Sequence, residues 1–293
     1  MLEKLFSKYW ITRIKNNYKK NNLNNFIMNI LIFLKKTLVK KNIGELPFKY
    51  FFIKKRRLIK NFCQKNLSDF DDQNIKTYFN YYLDSSLINK DSIIYSFGLS
   101  TNIKFEEQIA KKFNVNVYCF DPTPCSVNYM TNINNLNLIY KPFGIYTEDK
   151  KVKFFSTDTD KESNKNWNGS ILKNFANDDG ETNSEYFQCY KLKTLLDMNN
   201  HKYIDILKID IEGVAVEVLH DVLNDKIYPE QIVVEFDIFG NDNISKDLLI
   251  NQLDYILTIL NRLKSLDYKL YNMPRFSNQP YSSIEVLCIK KIN

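Results

Sequence analysis

The chain has 293 residues, of which 44% are hydrophobic and 14% aromatic, so it can build a large core as one domain or as one domain with an appendage. Its 7 glycines and 7 prolines argue against an all-β or low-complexity protein. The net charge is +7, but the basic residues are concentrated up to Lys65, as in the run 54–57, and the rest of the chain is slightly acidic. The overall charge therefore describes the N-terminal region and not the main domain.

The cysteines and histidines limit the possible chemistry. The 5 cysteines are odd in number and form no C-x-x-C pair, which favours a reducing compartment and predicts a cytoplasmic location. With only His201 and His220, a histidine-rich metal site or a Ser-His-Asp triad is not expected, and we predict no metal. The best apolar run, 26–34, is interrupted by Asn29 and is far shorter than the roughly 20 residues that span a membrane.

The first 75 residues predict a basic helical extension with helices near 2–18, 22–40 and 48–65. The apolar positions in 26–34 form a stripe flanked by lysines, which fits a helix that packs on the main domain. A basic amphipathic helix on an anionic membrane surface is the second interpretation, and a nucleic-acid arm is the third, without a specific nucleic acid. Because no candidate site residue precedes position 90, a chain that starts near Lys76 is expected to fold and to bind its ligand.

Residues 76–293 predict one domain in which strands and helices alternate. The predicted strands are 92–97, 115–120, 136–143, 151–155, 186–192, 204–210, 231–236, 268–272 and 284–290, and the predicted helices are 103–113, 126–133, 214–223 and 246–266. This alternation predicts an α/β fold with a mostly parallel sheet covered on both faces. The last two strands are joined by a short loop and predict a C-terminal antiparallel hairpin.

Candidate site residues follow the predicted strands, because ligands of such sheets bind at the carboxyl ends of the strands. An acid after the second strand can bind the ribose hydroxyls of a nucleoside, and a glycine after the first strand lets the nucleoside approach the backbone. The set is Ser96, Phe97 and Gly98 after the first strand, Asp121 after the second, Lys141 to Gly144 after the third, Asp210 and Glu212 after the fourth, and Glu235 and Asp237 after the fifth.

Each candidate also has a purely structural interpretation. Gly98 is compatible with a simple strand-to-helix turn, and Asp121 with a cap on the helix entered through Pro122-Thr-Pro124. Asp210 and Glu212 are compatible with capping of the helix that starts near position 213. Clustered carboxylates repel one another unless a donor-rich ligand or a cation is present, so their position at one edge of a sheet favours a binding site.

Three segments carry a resemblance to a known family: Ser96-Phe-Gly98, Phe120-Asp-Pro-Thr-Pro124 and Leu207-Lys-Ile-Asp-Ile-Glu-Gly213. In this order and spacing they resemble the FkbM-type S-adenosylmethionine-dependent methyltransferases, over roughly residues 76–290. The match is closest to the branch that includes the methyltransferase-like proteins of animals. The resemblance implies a class I methyltransferase fold, Rossmann-like, with a seven-stranded sheet.

The resemblance also implies roles for individual residues. S-adenosyl-L-methionine is the implied cofactor, and Asp121 would bind its ribose hydroxyls, while Asp210 and Glu212 would lie beside the transferring methyl. The implied cofactor-binding set is Ser96, Phe97, Gly98, Asp121, Pro122, Gly144 and Asp210. The implied reaction is O-methylation of a sugar, a glycan or another small hydroxyl-bearing substrate, with Asp210, Glu212 or Asp237 as the base that such an acceptor needs.

The sequence departs from the family pattern at three positions: Ser100 replaces a second glycine, Ala215 replaces a glutamate, and Asp237 replaces a histidine. The polar loop 157–185 contains Trp167-Asn-Gly-Ser170, which fits either a lid over the site or a surface insertion.

Two other functions fit parts of the sequence. A nucleotide-sugar or NAD-dependent Rossmann enzyme would need a G-x-G-x-x-G motif after the first strand, which the chain lacks. A catalytically impaired methyltransferase-like module would bind a partner through its basic N-terminal helices, and Ala215 and Asp237 favour this alternative.

Overall fold

The structure is a computed structural model that describes residues 45–70, 73–156, 169–171, 184–239, 244–273 and 283–291, with side chains from Ile53 onward. The chain divides into two compact units, Met1–Phe52 and Ile53–Asn293, and the fold below is that of the second unit. The predicted helices 2–18 and 22–40 lie outside the described residues.

The second unit is built on a seven-stranded sheet. Its strands are β3 (Ile94–Phe97), β4 (Val117–Phe120), β5 (Leu138–Lys141), β10 (Ile206–Ile209), β11 (Gln231–Asp237), β12 (Tyr268–Asn272) and β13 (Ser283–Lys290). They lie in the order β12-β13-β11-β10-β3-β4-β5, and β13 is antiparallel to both of its neighbours. Strands β4 and β5, which follow β3 in the chain, lie on one side of it, and the later strands β10 and β11 lie on its other side. The direction in which strands are added to the sheet therefore reverses beside β3.

Six helices of the described residues, together with an antiparallel hairpin formed by residues 75–84, cover the two faces of this sheet. The helices are α1 (Glu45–Asn66), α2 (Lys104–Phe113), α3 (Pro124–Met130), α4 (Leu192–Met198), α5 (Ala215–Asn224) and α6 (Lys246–Ser265). One apolar cluster includes buried side chains of α1, α4, α5 and α6, and the other includes side chains of α2 and of the hairpin. The prediction of an α/β fold is confirmed. No helix in the described part of the chain is long and apolar enough to cross a membrane.

Two smaller sheets flank the central one. Strands β1 (Ile75–Tyr78) and β2 (Tyr81–Asp84) form an antiparallel hairpin that the sequence analysis did not predict. Its two-residue turn places Phe79 at φ 54°, a conformation that sequence patterns usually mark with glycine or asparagine. A four-stranded sheet has the order β6-β9-β7-β8. Its strands are β6 (Gly144–Ile145), β7 (Lys150–Ser156), β8 (Gly169–Ser170) and β9 (Ser184–Tyr190).

Helix α1 contributes to the core of the second unit. Ile59 is fully buried, and Cys63 and Leu67 are 7% and 8% exposed in the same apolar cluster as α5 and α6. Just beyond the helix, the amide of Ser68 donates to the Leu270 carbonyl over 3.0 Å. The compact unit therefore starts before the predicted domain boundary at residue 76, because the apolar face of α1 supplies part of the core.

Candidate active site at the carboxyl edge of the sheet

A cavity of about 410 Å³ opens at the carboxyl ends of β3, β4 and β10. Its volume falls within the roughly 300–1,000 Å³ of small-molecule sites. The predicted residues that line it are Phe97, Gly98, Asp121, Pro122, Gly144, Asp210 and Glu212. The strand-order reversal beside β3 thus brings most of the predicted cofactor-binding residues to one cavity.

Ser96 has a different environment from the other predicted residues. It is fully buried on β3, and its hydroxyl donates to Glu106 Oε1 over 2.6 Å. It is not among the described residues that line the cavity. Ser96 therefore holds the carboxylate of Glu106, which itself lines the cavity.

Position 98 requires a glycine, because its backbone conformation and a neighbouring carbonyl leave no room for a side chain. Its φ is 82°, and a Cβ at this position would lie 1.7 Å from the carbonyl oxygen of Asp210. The amide of Asp210 in turn donates to the Phe97 carbonyl over 3.0 Å. From the sequence, this glycine was predicted to allow the approach of a nucleoside, whereas in the structure the group that approaches it is the backbone at the end of β10.

The carboxylate of Asp121 accepts four hydrogen bonds from the protein. Oδ2 accepts from the amides of Leu99 and Ser100 over 2.9 and 3.0 Å. Oδ1 accepts from the amide and the hydroxyl of Thr123 over 2.9 and 2.6 Å. Since a carboxylate offers about four acceptor positions, Asp121 fixes the loop after β3 against the loop after β4. A ribose hydroxyl at this carboxylate would have to share a position with one of these donors.

The starts of helices α3 and α5 show whether the predicted acids cap them. The bond from the Thr123 amide to Asp121 is a local turn that precedes α3, so Asp121 has a structural role at this helix start. At α5, the N-cap residue is Val214, which has no side-chain capping hydrogen bond. Asp210 and Glu212 therefore lie before this helix without capping it in the usual way.

Lys208 is a buried cation beneath the cavity, and it was not among the predicted site residues. Its ammonium group donates to the Gly98 carbonyl over 3.1 Å and lies 3.6 Å from Glu106 Oε1 and 3.7 Å from Asp210 Oδ2. Burial lowers the pKa of Lys208, but the negative charges of Glu106, Asp210 and Glu235 outweigh burial and raise the pKa above its ordinary value. The lysine therefore stays charged and connects β10 with the loop after β3 and with α2.

Because side chains alternate along a strand, Lys208 and Asp210 are expected on one face of β10, opposite Leu207 and Ile209. The 3.7 Å contact between the two charged side chains agrees with this. Lys208 could have been found from this alternation, because a lysine inside a buried strand needs partners. Two of these partners, the Gly98 carbonyl and Glu106, lie on the loop after β3 and on α2, far away in the sequence.

Glu212 and Asp237 form a carboxyl pair at the ends of neighbouring strands. The two side chains are hydrogen-bonded, and the amide of Gly213 donates to Asp237 Oδ2 over 2.9 Å. Burial and the charge of Glu212 raise the pKa of Asp237 well above its ordinary value, because two adjacent buried carboxyl groups cannot both ionise easily. The pair therefore retains a proton at a pH where an exposed aspartate has lost it.

The members of this pair line different cavities. Glu212 lines the large cavity, whereas Asp237 lines a smaller one of about 180 Å³ between α5, α6 and the end of β11. Phe239 and Tyr255 add aromatic side chains to the smaller cavity. Gln252 stabilises this wall, because its side-chain amide exchanges two 2.7 Å hydrogen bonds with the backbone of Phe239.

Two residues of the polar loop 157–185, Gly169 and Ser170, form strand β8. Gly169 and Ser170 pair with β7, and Gly169 lines the large cavity. The hydroxyl of Ser170 donates to the Glu212 carbonyl over 3.0 Å. Trp167, which belongs to the same predicted segment, lies outside the described residues.

The fold and the site define an α/β protein with a ligand cavity at the strand-order reversal, and a match to a family model agrees with this class. The family model described as the methyltransferase FkbM domain matches residues 88–270, which is more than half of the chain. The protein therefore belongs to the FkbM methyltransferase family. No curated protein matches the chain.

Solved methyltransferase structures are similar to the chain only at a low level. The precorrin-6y C5,15-methyltransferase of Geobacter metallireducens GS-15 has 8% identity and a TM-score of 0.34, over 77% of this chain and 98% of that chain. The plantazolicin methyltransferase BpumL in complex with SAH has 11% identity and a TM-score of 0.35, over 88% of this chain and 90% of that chain. The family assignment depends on the family model and not on these structures.

Proposed function

We propose that this protein is an S-adenosylmethionine-dependent methyltransferase with a class I fold that O-methylates a sugar, a glycan or another small hydroxyl-bearing substrate. The observation that carries the proposal is the cavity at the strand-order reversal, within a chain of the FkbM methyltransferase family. The carboxyl pair Glu212–Asp237 at the same edge of the sheet supports the proposal, because a hydroxyl acceptor needs a base.

The residues present fit the cofactor. The cavity is large enough for a nucleoside with an amino-acid tail, and its wall combines aromatic rings, backbone groups and carboxylates. Phe97, Gly98, Pro122 and Gly144 would supply the walls, and Asp121 would face the ribose. When bound, the cofactor supplies an electrophilic methyl group on a sulfonium.

The chain's own residues would then position the acceptor and remove its proton. Methyl transfer is an in-line displacement, so holding the acceptor oxygen in line accounts for much of the rate. Within the pair, Glu212 lines the large cavity and Asp237 the smaller one, and burial together with the charge of Glu212 raises the pKa of Asp237. The unprotonated member of the pair is the proposed base for the acceptor hydroxyl.

Calorimetric titration of the full chain with S-adenosylhomocysteine is the direct test. We expect saturable binding of one ligand per chain, and the absence of binding would refute the proposal. Asp121→Ala should weaken this binding by about 1–3 kcal/mol, because ribose hydroxyls and the loop amides lose their acceptor. It should also lower the melting temperature, because the amides of Leu99 and Ser100 lose the same carboxylate.

Thr131→Ala is a suitable control for Asp121→Ala, because its hydroxyl donates to the Asn128 carbonyl at the exposed end of α3. It should leave the affinity for S-adenosylhomocysteine unchanged. Unchanged affinity in Asp121→Ala as well would remove this residue from the cofactor site. Methyl transfer itself is then sought as S-adenosylhomocysteine formed from S-adenosylmethionine with methyl glycosides as acceptors.

A second function, that of a catalytically impaired binding module, is favoured by two departures from the family pattern, Ala215 and Asp237. The basic residues before residue 66 favour it as well. A catalytically impaired module would act at the periphery of a membrane in the cytoplasm through its basic N-terminal helices. Binding of the full chain to vesicles that contain phosphatidylserine, lost in a chain that begins at Glu45, would support this alternative. Methyl transfer to a glycoside would contradict the impairment.

A further inference from the structure

We propose that Tyr81 is a positioning residue of the methyl-transfer site that acts through Asp210. It lies on the β1–β2 hairpin, before the segment 88–270 that matches the family model. The inference rests on the proposed function and adds to it an element that the family match does not include.

The hairpin is held in place at both ends. At its base, the amide of Asp84 donates to Gln231 Oε1 over 2.8 Å, and Gln231 Nε2 donates back to the Asp84 carbonyl over 3.1 Å. At its turn, the amide of Phe79 donates to Gln108 Oε1 on α2 over 2.7 Å. Leu83 is fully buried between these points. The hairpin is therefore a fixed wall, and its residues 79–81 line the large cavity.

Tyr81 is directed at the site by contacts on several sides. Its hydroxyl donates to Asp210 Oδ2 over 2.5 Å. Its ring meets Phe105 edge to face with a centroid distance of 5.1 Å, and the Lys208 ammonium lies 5.0 Å from its ring centroid. The ring has little freedom to turn, so the direction of the hydroxyl is set by the fold.

Tyr81 remains a donor at every relevant pH. Burial, followed by the negative charge of Asp210, raises the pKa of Tyr81 well above its ordinary value, so the phenol keeps its proton. Tyr81 and Lys208 approach the same oxygen of Asp210, Oδ2, and neither of these contacts uses Oδ1. Since Asp210 lines the cavity, its carboxylate is presented to the ligand in one orientation.

The test uses the full chain and S-adenosylmethionine labelled with carbon-13 in its methyl group. The resonance of the bound methyl group reports on the charges beside it without any acceptor. Tyr81→Phe removes one hydroxyl and keeps the ring contacts, so the variant should fold, and we expect the bound-methyl resonance to shift by more than its linewidth. Tyr82→Phe is the matched control, since this ring packs 4.5 Å from Phe70 on the other side of the strand.

A double-mutant comparison separates positioning from a general structural effect. In Asp210→Ala the Tyr81 hydroxyl has no acceptor at that position, so adding Tyr81→Phe should cause no further shift. A wild-type resonance in Tyr81→Phe, or an equal shift in both backgrounds, would overturn the inference while cofactor binding stands. Failure of the wild-type chain to bind S-adenosylmethionine would refute the proposed function and the inference with it.

Discussion

At the residue scale, the site depends on backbone positions as much as on side chains. Gly98 and Ser100 both have positive φ, 82° and 51°, in the loop that Asp121 holds. Glycine adopts this conformation freely, whereas a non-glycine residue in the left-handed region costs about 1–2 kcal/mol. The serine that replaces the family's second glycine therefore occupies a position where the fold favours glycine.

Opposite substitutions in this loop should have opposite effects on stability. Gly98→Ala should lower the free energy of unfolding by about 3 kcal/mol or more, because its Cβ would overlap the Asp210 carbonyl. Ser100→Gly should leave stability unchanged or raise it by up to about 1 kcal/mol, because relief of strain exceeds the entropy cost of glycine. Urea unfolding measures both values, and a marked destabilisation by Ser100→Gly would contradict the account.

The carboxyl pair predicts a pH dependence of stability. The pKa of Asp237 is higher in the folded protein than the roughly 3.9 of an unfolded aspartate. At a pH between the unfolded and the folded pKa of Asp237, the folded state holds a proton that the unfolded state has released. The free energy of unfolding therefore falls as the pH rises through this range. Asp237→Asn keeps an acceptor for the Gly213 amide and removes the titration, so its stability relative to wild type should increase with pH.

Melting temperatures of wild type and Asp237→Asn between pH 5 and pH 9 test this expectation. Asp254→Asn, at an exposed carboxylate of α6, is the control and should run parallel to wild type. A difference between Asp237→Asn and wild type that stays constant with pH would mean that the Glu212–Asp237 pair holds no extra proton.

At the element scale, α1 and the β1–β2 hairpin extend the domain toward the N-terminus. The buried side chains Ile59, Cys63 and Leu67 of α1 and the residue after it belong to the main core. Each fully buried apolar side chain contributes about 1.5–3 kcal/mol, while a whole domain is stable by only about 5–15 kcal/mol. We therefore expect that the domain loses a large part of its stability without α1.

Truncation tests this role. A chain that begins at Glu45 should fold cooperatively and bind S-adenosylhomocysteine, whereas a chain that begins at Lys76 should be unstable or insoluble. This differs from the expectation drawn from the sequence, in which a chain that starts near Lys76 folds and binds its ligand. Circular dichroism and thermal melting of both chains decide between them, and a stable, binding-competent chain from Lys76 would show that α1 is an accessory helix.

At the scale of the whole molecule, the positive net charge and the buried charge group of the site come from different parts of the chain. The basic residues before residue 66 account for the positive net charge, whereas the interior of the site collects Lys208, Glu106 and Asp210 in contact. A buried charge group of this kind is stable only when its members remain together, because loss of one partner leaves an uncompensated charge. The sheet order keeps them together by placing β10 beside β3.

The amino-acid sequence by itself determined the local features of this protein. The strand and helix pattern after residue 90, the acids at the strand ends and the K-I-D-I-E-G segment depend on side-chain periodicity and short-range order, and the α/β fold and the family follow from them. For the same reason the sequence placed Asp210 and Glu212 at one sheet edge, where the structure finds them.

Only the tertiary structure decided which groups meet across long separations in the chain. Tyr81 reaches Asp210 across 129 residues, and Lys208 reaches the Gly98 carbonyl across 110. It also showed that α1 belongs to the core and that the acceptor positions of Asp121 are filled by the protein. Such contacts depend on sheet order and on packing between distant elements, and periodicity within a short window carries no information about either.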